Sequence, residues 1–247
     1  MSIIEKGFVI NLKRRSDRLE NFLKQKNLLP NIEVFTAIDG RNLKYDDNYN
    51  LLHNNTIILQ NDLAIKFKGL KIGEVGAFLS HYFIWKKIIL ENKPCIIFED
   101  DAKVVHDFYN KLNNILTKGI PEDFDILWVG IRQHYIQTKI YKNKFKINKD
   151  KFLFNHYYNF SPLRKDPWYP YCYIISPNIC KKLCNIFEKY NSTYPPVDHF
   201  ICQQQFKNNY IIINSDNEPY LCSAQQGDSD IQIFENKKEN NKYLTKI

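Results

Sequence analysis

The sequence predicts an α/β domain with a mostly parallel central sheet flanked by helices. Three observations carry that prediction. The chain opens with an apolar run, a helical pattern and a second apolar run, the β-loop-α-β order that begins a parallel sheet. A later segment, "GEVGAFLSHYFIWKKIILEN", is apolar on most of its surface, as a helix buried against a sheet must be. Directly after it, "CIIFEDD" passes from buried strand into three adjacent carboxylates at the point where such a strand ends.

The bulk composition agrees with this class. With 247 residues, 44% hydrophobic and 15% aromatic, the chain can bury the core of one large α/β domain and is not globally disordered. Eight Gly and ten Pro, with no internal repeat, argue against solenoid, fibrous or linker-rich architectures. The reading is a single domain over residues 1–225, with a basic and aromatic insertion at 133–160 and a charged tail at 226–247. "MSIIEKGFVINLKRR" lacks the regions of a signal peptide, and no run of 18 apolar residues occurs. The expectation is therefore a soluble, cytoplasmic chain, with peripheral membrane contact left open. Six Cys without a C-x-x-C pair read as reduced, buried thiols. The net charge of +8 reflects either a Lys- and Asn-rich solvated surface or an anionic ligand. The lysine clusters late in the chain carry no interleaved stacking motif or known nucleic-acid fold signature, so a nucleic-acid partner is not expected.

Element by element, "GFVINL" is the first strand and "KRRSD" a basic loop. Asp17 with Glu20 three residues on predicts a helix N-cap, and Pro30 closes that helix. "IEVFTAI" is the second strand and "DGRN" a turn, while 41–68 has no clear pattern. The long helix covers Gly73 to Asn92, and Pro94 opens the third strand, "CIIF". "HDFYNKLNNIL" is helical, "FDILWVG" and "YPYCYIIS" are strands, and Pro177 opens the helix "PNICKKLCNIFEKY". A short helix at "PVDHFICQQQF" and a strand at "YIIIN" follow.

Four constellations bear on chemistry. Glu99, Asp100 and Asp101 are either a solvated turn or an oxygen-only site suited to Mg²⁺ or Mn²⁺. Extended geometry would send Glu99 and Asp101 one way and Asp100 the other. The basic loop "KRRSDR" is either an exposed loop or a phosphate-binding one. Gly73 and Gly76 open a helix whose free N–H groups favour anions, with Ser80 and His81 a turn later; a lone histidine there is otherwise a core residue. Asp198 and His199 start a helix, where Asp198 is either its cap or a general base, with His199 the second choice for base.

Taken in order, "FVINLKRRSDRLENF", "FTAIDG", "GEVGAFLSHYFIWKKII", "CIIFEDDAKV", "FDILWVG", "YPYCYIIS" and "PVDHFI" resemble glycosyltransferase family 25. The resemblance runs from about Phe8 to Phe200 and is poor over 133–160. It implies a GT-A fold, an inverting transfer from a nucleotide-sugar donor, usually UDP-linked, and a divalent cation, often Mn²⁺. Glu99 and Asp101 would then hold the metal, with Asp101 the direct ligand. Asn11, Leu12, Arg14, Arg18, Ala37, Asp39, Ser80, His81 and Asp100 would bind the nucleotide-sugar, and Asp198 would act as base. Trp168, Tyr169 and Tyr171 are candidates to stack on the acceptor, a glycan or protein hydroxyl. A nucleotidyltransferase would use a similar sheet and metal but release pyrophosphate, and a non-catalytic module would bind the nucleotide-sugar without turnover. A phosphatase fits less well, because Asn11 stands where its aspartate nucleophile would be.

Overall fold

Strand β1 (Lys6–Asn11) lies inside the sheet, and its sequence explains why. Phe8 and Ile10 join one apolar cluster and Val9 the other, so both faces of the strand are covered. The computed structural model describes residues 4–117, 124–130, 171–190, 192–203, 209–212 and 221–224. The 133–160 insertion, the 226–247 tail, Trp168 and Tyr169 lie outside the described residues.

β2 (Asn31–Thr36) and β6 (Cys95–Glu99) flank β1, and both pair with it in parallel. Beyond β6 come β9 (Cys172–Ile175), β8 (Ile126–Trp128) and β10 (Asn209–Ile211), giving the order β10-β8-β9-β6-β1-β2. β9 runs antiparallel to both neighbours, and the other three pairings are parallel. From β1 the chain moves outward to β2 and later returns to β6 on β1's other side. That reversal opens a crevice beyond the carboxyl ends of β1 and β6, where ligands of such sheets gather.

Helices cover both faces. α3 (Ile72–Glu91), α5 (Pro177–Lys189) and α6 (Val197–Gln203) bury Val75, Leu183 and Phe200 in the cluster that holds Phe8. α1 (Ser16–Leu23) and α4 (Phe108–Thr117) bury Phe22 and Leu112 in the cluster that holds Val9. α5 starts where expected, with Pro177 in its first turn and the Ser176 hydroxyl accepting from the Ile179 amide. All six cysteines are buried and unbridged.

Several local expectations are corrected. Asp17 does not cap α1: its carboxylate accepts from the Arg15 guanidinium at 3.0 Å, and the helix ends at Leu23, well short of Pro30. Residues 41–68 are not patternless. They hold a three-stranded antiparallel sheet, β3 (Leu43–Tyr45), β4 (Leu51–His53) and β5 (Thr56–Leu59), then a helical turn, α2 (Asn61–Ala64). The strand β7 (Ala102–Val104) follows the acidic turn and pairs antiparallel with β11 (Cys222–Ala224), a pairing the sequence did not suggest. No helix among the described residues is long and apolar enough to cross a membrane.

Candidate active site

The crevice beyond β1 and β6 is a cavity with an apolar floor, including Ile10, Leu12 and Ile72, and a charged rim. The loop after β1 turns tightly, with the Arg15 amide bonded to the Leu12 carbonyl at 2.7 Å, and this brings Arg14 and Arg18 to the rim. The turn after β6 delivers Glu99, Asp100 and Asp101 opposite them.

Crowded carboxylates need counter-charge, and Arg18 supplies much of it. Its guanidinium reaches Asp100 Oδ1 and Asp101 Oδ2, each at 2.9 Å. Asp100 is also held from behind: Asn11 Nδ2 donates to its Oδ2 at 2.7 Å and to the Arg15 carbonyl at 2.9 Å. Asn11 is buried with both amide hydrogens engaged, so it props up Asp100 and is not itself a cavity wall. The expected opposition of Asp100 to its neighbours is overturned. The strand ends at Glu99, residues 100 and 101 form a turn, and Asp100 and Asp101 close on the same guanidinium.

Neutralisation is incomplete. Asp101 Oδ1 is buried and has no hydrogen-bond partner among the described residues. Burial and then the charge of Glu99 push the Asp101 carboxyl up to about 6, against the pull of Arg18. Burial, then the charges of Asp100 and Asp198, push Glu99 up to about 7. A buried carboxylate oxygen with nothing to accept from fits a cation ligand, and an all-oxygen donor set suits Mg²⁺ or Mn²⁺. Among the described residues no three His, Cys, Asp or Glu side chains converge as a complete metal site. Any ion here would therefore share its coordination with a ligand's oxygens, as Mg²⁺ commonly does with phosphates.

The opposite wall is the 37–41 loop. Asp39 is gripped by two arginines: Arg14 Nε at 3.0 Å, and Arg41 Nη2 at 2.7 Å with its Nε and backbone amide also donating. Burial works against its charge, but the hydrogen bonds from Arg41 and Arg14 outweigh it and hold the carboxyl below its usual value. Asp39 thus fixes two cations at the rim. Arg41 was missed from sequence because "DGRN" reads only as a turn; the structure makes it a short 3₁₀ turn (Gly40–Asn42) capped by Asp39.

This loop leans on α3, which revises the reading of its glycines. A Cβ on Gly76 would lie 2.4 Å from the Ile38 carbonyl oxygen and 2.9 Å from the Gly40 nitrogen. Gly76 therefore serves close packing of helix on loop, and the helix start is capped by Glu74, which accepts from the Lys71 amide at 2.8 Å. Ser80 extends the same contact, donating to the Gly76 carbonyl at 2.7 Å and accepting from the Ile38 amide at 2.9 Å. Ala37, whose amide bonds to the Asn11 carbonyl at 2.8 Å, completes this side.

His81 sits one residue further along α3, 1% exposed, between the core and the cavity. Its Nδ1 is 2.7 Å from the Tyr173 hydroxyl, and its Nε2 is 3.6 Å from Glu99 Oε1. Burial drives its pKa down to about 4, with the charge of Asp198 opposing. Asp198, in the first turn of α6, comes within electrostatic reach of both His81 and Glu99, and its carboxylate accepts from the His199 amide at 2.9 Å. Neither Asp198 nor His199 is among the residues lining the cavity. Tyr171, the described member of the stacking candidates, is buried.

Comparison with known proteins bears on this arrangement. The family profile described as glycosyltransferase family 25 (LPS biosynthesis protein) matches residues 4–201. The chain is similar to the procollagen lysyl hydroxylase and glycosyltransferase of Acanthamoeba polyphaga mimivirus, 27% identical over 81% of this chain and 21% of that protein. It is similar to the procollagen galactosyltransferase 2 of Homo sapiens, 28% identical over 53% of this chain and 21% of that protein. It is also similar to the inactive glycosyltransferase 25 family member 3 of Mus musculus, 30% identical over 51% and 22%. The matched regions span about a fifth of the length of these relatives.

Proposed function

Because the chain belongs to glycosyltransferase family 25, we propose that it transfers a hexose, galactose or glucose first, from a UDP-sugar to a hydroxyl of a glycan or protein acceptor. The transfer would invert the sugar and depend on a divalent cation. One observation carries the reading: arginines and a partly unsatisfied carboxylate cluster face each other across a single crevice at the strand-order reversal. A nucleoside diphosphate carries negative charge for the arginines and bridges to a cation held by the carboxylates.

The chain's residues divide the work. Arg14 and Arg41, held by Asp39, bind the diphosphate. Asp101, through its partnerless oxygen, and Glu99 would hold Mn²⁺ or Mg²⁺, while Arg18 and Asn11 fix Asp100 beside them. Such an ion, when bound, offsets the charge developing on the departing diphosphate. Asp198, off the cavity lining but within electrostatic reach of His81 and Glu99, would take the proton of the acceptor hydroxyl, assistance of the kind typically worth ~10²–10⁴-fold.

The test is UDP release from a panel of UDP-sugars, with Mn²⁺ and with chelator, on wild type and Asp101→Ala. Metal-dependent release that Asp101→Ala abolishes is the expected result. Failure to bind UDP at all would sink the reading. The inactive mouse relative favours a second reading, a domain that binds the nucleotide-sugar without turning it over. Binding of UDP without release from any sugar would select it.

A further inference from the structure

Trp85, Tyr173 and His81 form a closed chain of polar atoms in the core, and its donors and acceptors can be counted. Trp85 Nε1 donates to the Tyr173 hydroxyl oxygen at 3.2 Å, and that oxygen lies 2.7 Å from His81 Nδ1. All three side chains are at most 1% exposed. The placement follows from local structure. His81 and Trp85 are four apart on α3 and so share a face, and Tyr173 projects from β9 toward them. The Tyr173 ring lies 5.8 Å from the His81 ring at 21°, which sets the imidazole plane.

An indole N–H can only donate, so the phenol oxygen must be its acceptor. The phenol's single hydrogen then has His81 Nδ1 as its acceptor. If Nδ1 carried a hydrogen instead, the Tyr173 hydrogen would be left buried with no acceptor among the described residues, which native interiors avoid. Nδ1 is therefore bare. The neutral ring carries its hydrogen on Nε2, on the cavity side, 3.6 Å from Glu99 Oε1.

We propose that Trp85 and Tyr173 are positioning residues that lock His81 in its Nε2–H tautomer, so that the cavity wall presents an N–H donor beside the Glu99 carboxylate. At 3.6 Å the pair is just beyond a direct hydrogen bond, leaving the N–H available to a hydroxyl that enters between them. A donor and an acceptor side by side match a sugar hydroxyl, which both accepts and donates, and a carboxylate's two oxygens let Glu99 Oε1 serve the hydroxyl while the other would serve the cation. This last step rests on the sugar-transfer reading; the tautomer does not.

The first measurement is a long-range ¹H–¹⁵N correlation spectrum of protein labelled at histidine, with the His81 signals identified by their loss in His81→Gln. A pyrrole-type Nε2 and a pyridine-type Nδ1 are expected, and the opposite pattern overturns the proposal. In Tyr173→Phe both nitrogens should move to intermediate shifts, as two tautomers become populated; a ring still wholly Nε2–H removes Tyr173 from the role. The second measurement is UDP release by His81→Gln and His81→Asn. The Gln amide nitrogen falls near Nε2 and that of Asn near Nδ1, so Gln should retain about 10–100-fold more activity, the scale on which supporting partners act. Asn equal to Gln in a protein whose wild type is active overturns the donor role. If the wild type releases no UDP, the transferase reading fails, and the spectra still decide the tautomer.

Discussion

Gly76 bears the contact on which one wall of the cavity rests. The atoms a side chain would meet are backbone, the Ile38 oxygen and the Gly40 nitrogen, and neither can rotate away. Gly76→Ala should therefore push the 37–41 loop off α3 and cost about 1–3 kcal/mol, the usual range for overpacking, read as a lowered urea midpoint. The residue types of this wall stood in the sequence, but their use did not. "GEVGAFLSH" looks like an anion-binding helix start because the atoms that fill the space above Gly76 come from a segment 38 residues earlier. Asp100 illustrates the same gap. Alternation along a strand predicts its direction only while the strand lasts, and β6 stops one residue before it. Tyr173 and Trp85 lie in segments that read as a strand and a buried helix, and both are core residues; only their hydroxyl and indole hydrogens tie them to the site.

At the scale of elements, α3 and β6 act as a pair. The helix supplies Ser80 and His81, the strand supplies the carboxylates, and the reversal between them passes through Asn92 in the left-handed region, φ 52°. Asparagine tolerates that conformation and glycine more so, whereas a Cβ without a local hydrogen bond does not. Asn92→Ala should lose about 1 kcal/mol of stability and Asn92→Gly should lose none, by urea denaturation. The long elements were legible because their apolar signal extends over many positions, as a recurring stripe in α5 and as a long run apolar on most sides in α3. The three-residue strands β3, β4, β7 and β11 offer too few positions to show a period, whereas β8 and β10, equally short, lie in apolar runs that the sequence does show. The first four exist because a partner strand is present, and partnership is not written locally.

Across the whole molecule the two ends of the sheet use charge differently. Beyond the carboxyl ends, opposite charges face a cavity. At the other end, Lys6 bridges Glu33 and Glu91, and Lys87 also pairs with Glu33, tying β1, β2 and α3 together. The hydrogen bond from Lys87, against burial and with help from Lys6, holds the Glu33 carboxyl below its ordinary value of about 4.5. A depressed carboxyl contributes stability that is fully present above its unfolded value and is lost as pH falls through its folded one. Wild type should thus be more stable than Glu33→Gln at neutral pH. The difference between their urea midpoints should shrink once the pH drops below about 4.5 and vanish at lower pH. Molar salt should narrow it at neutral pH, since these side chains are partly exposed.

The pairing of β7 with β11 has a consequence for where this protein can be divided. β7 follows Asp101 directly. On one side Gln25 staples it, donating to the Ala102 carbonyl at 2.9 Å and accepting from the Val104 amide at 2.8 Å; on the other it relies on β11. The family profile ends at residue 201, yet β11 begins at Cys222. A fragment cut at the profile's limit would keep every candidate ligand and lose the strand that clamps the turn bearing them. The smallest unit able to hold the carboxylates in place is thus longer than the stretch by which the family is recognised.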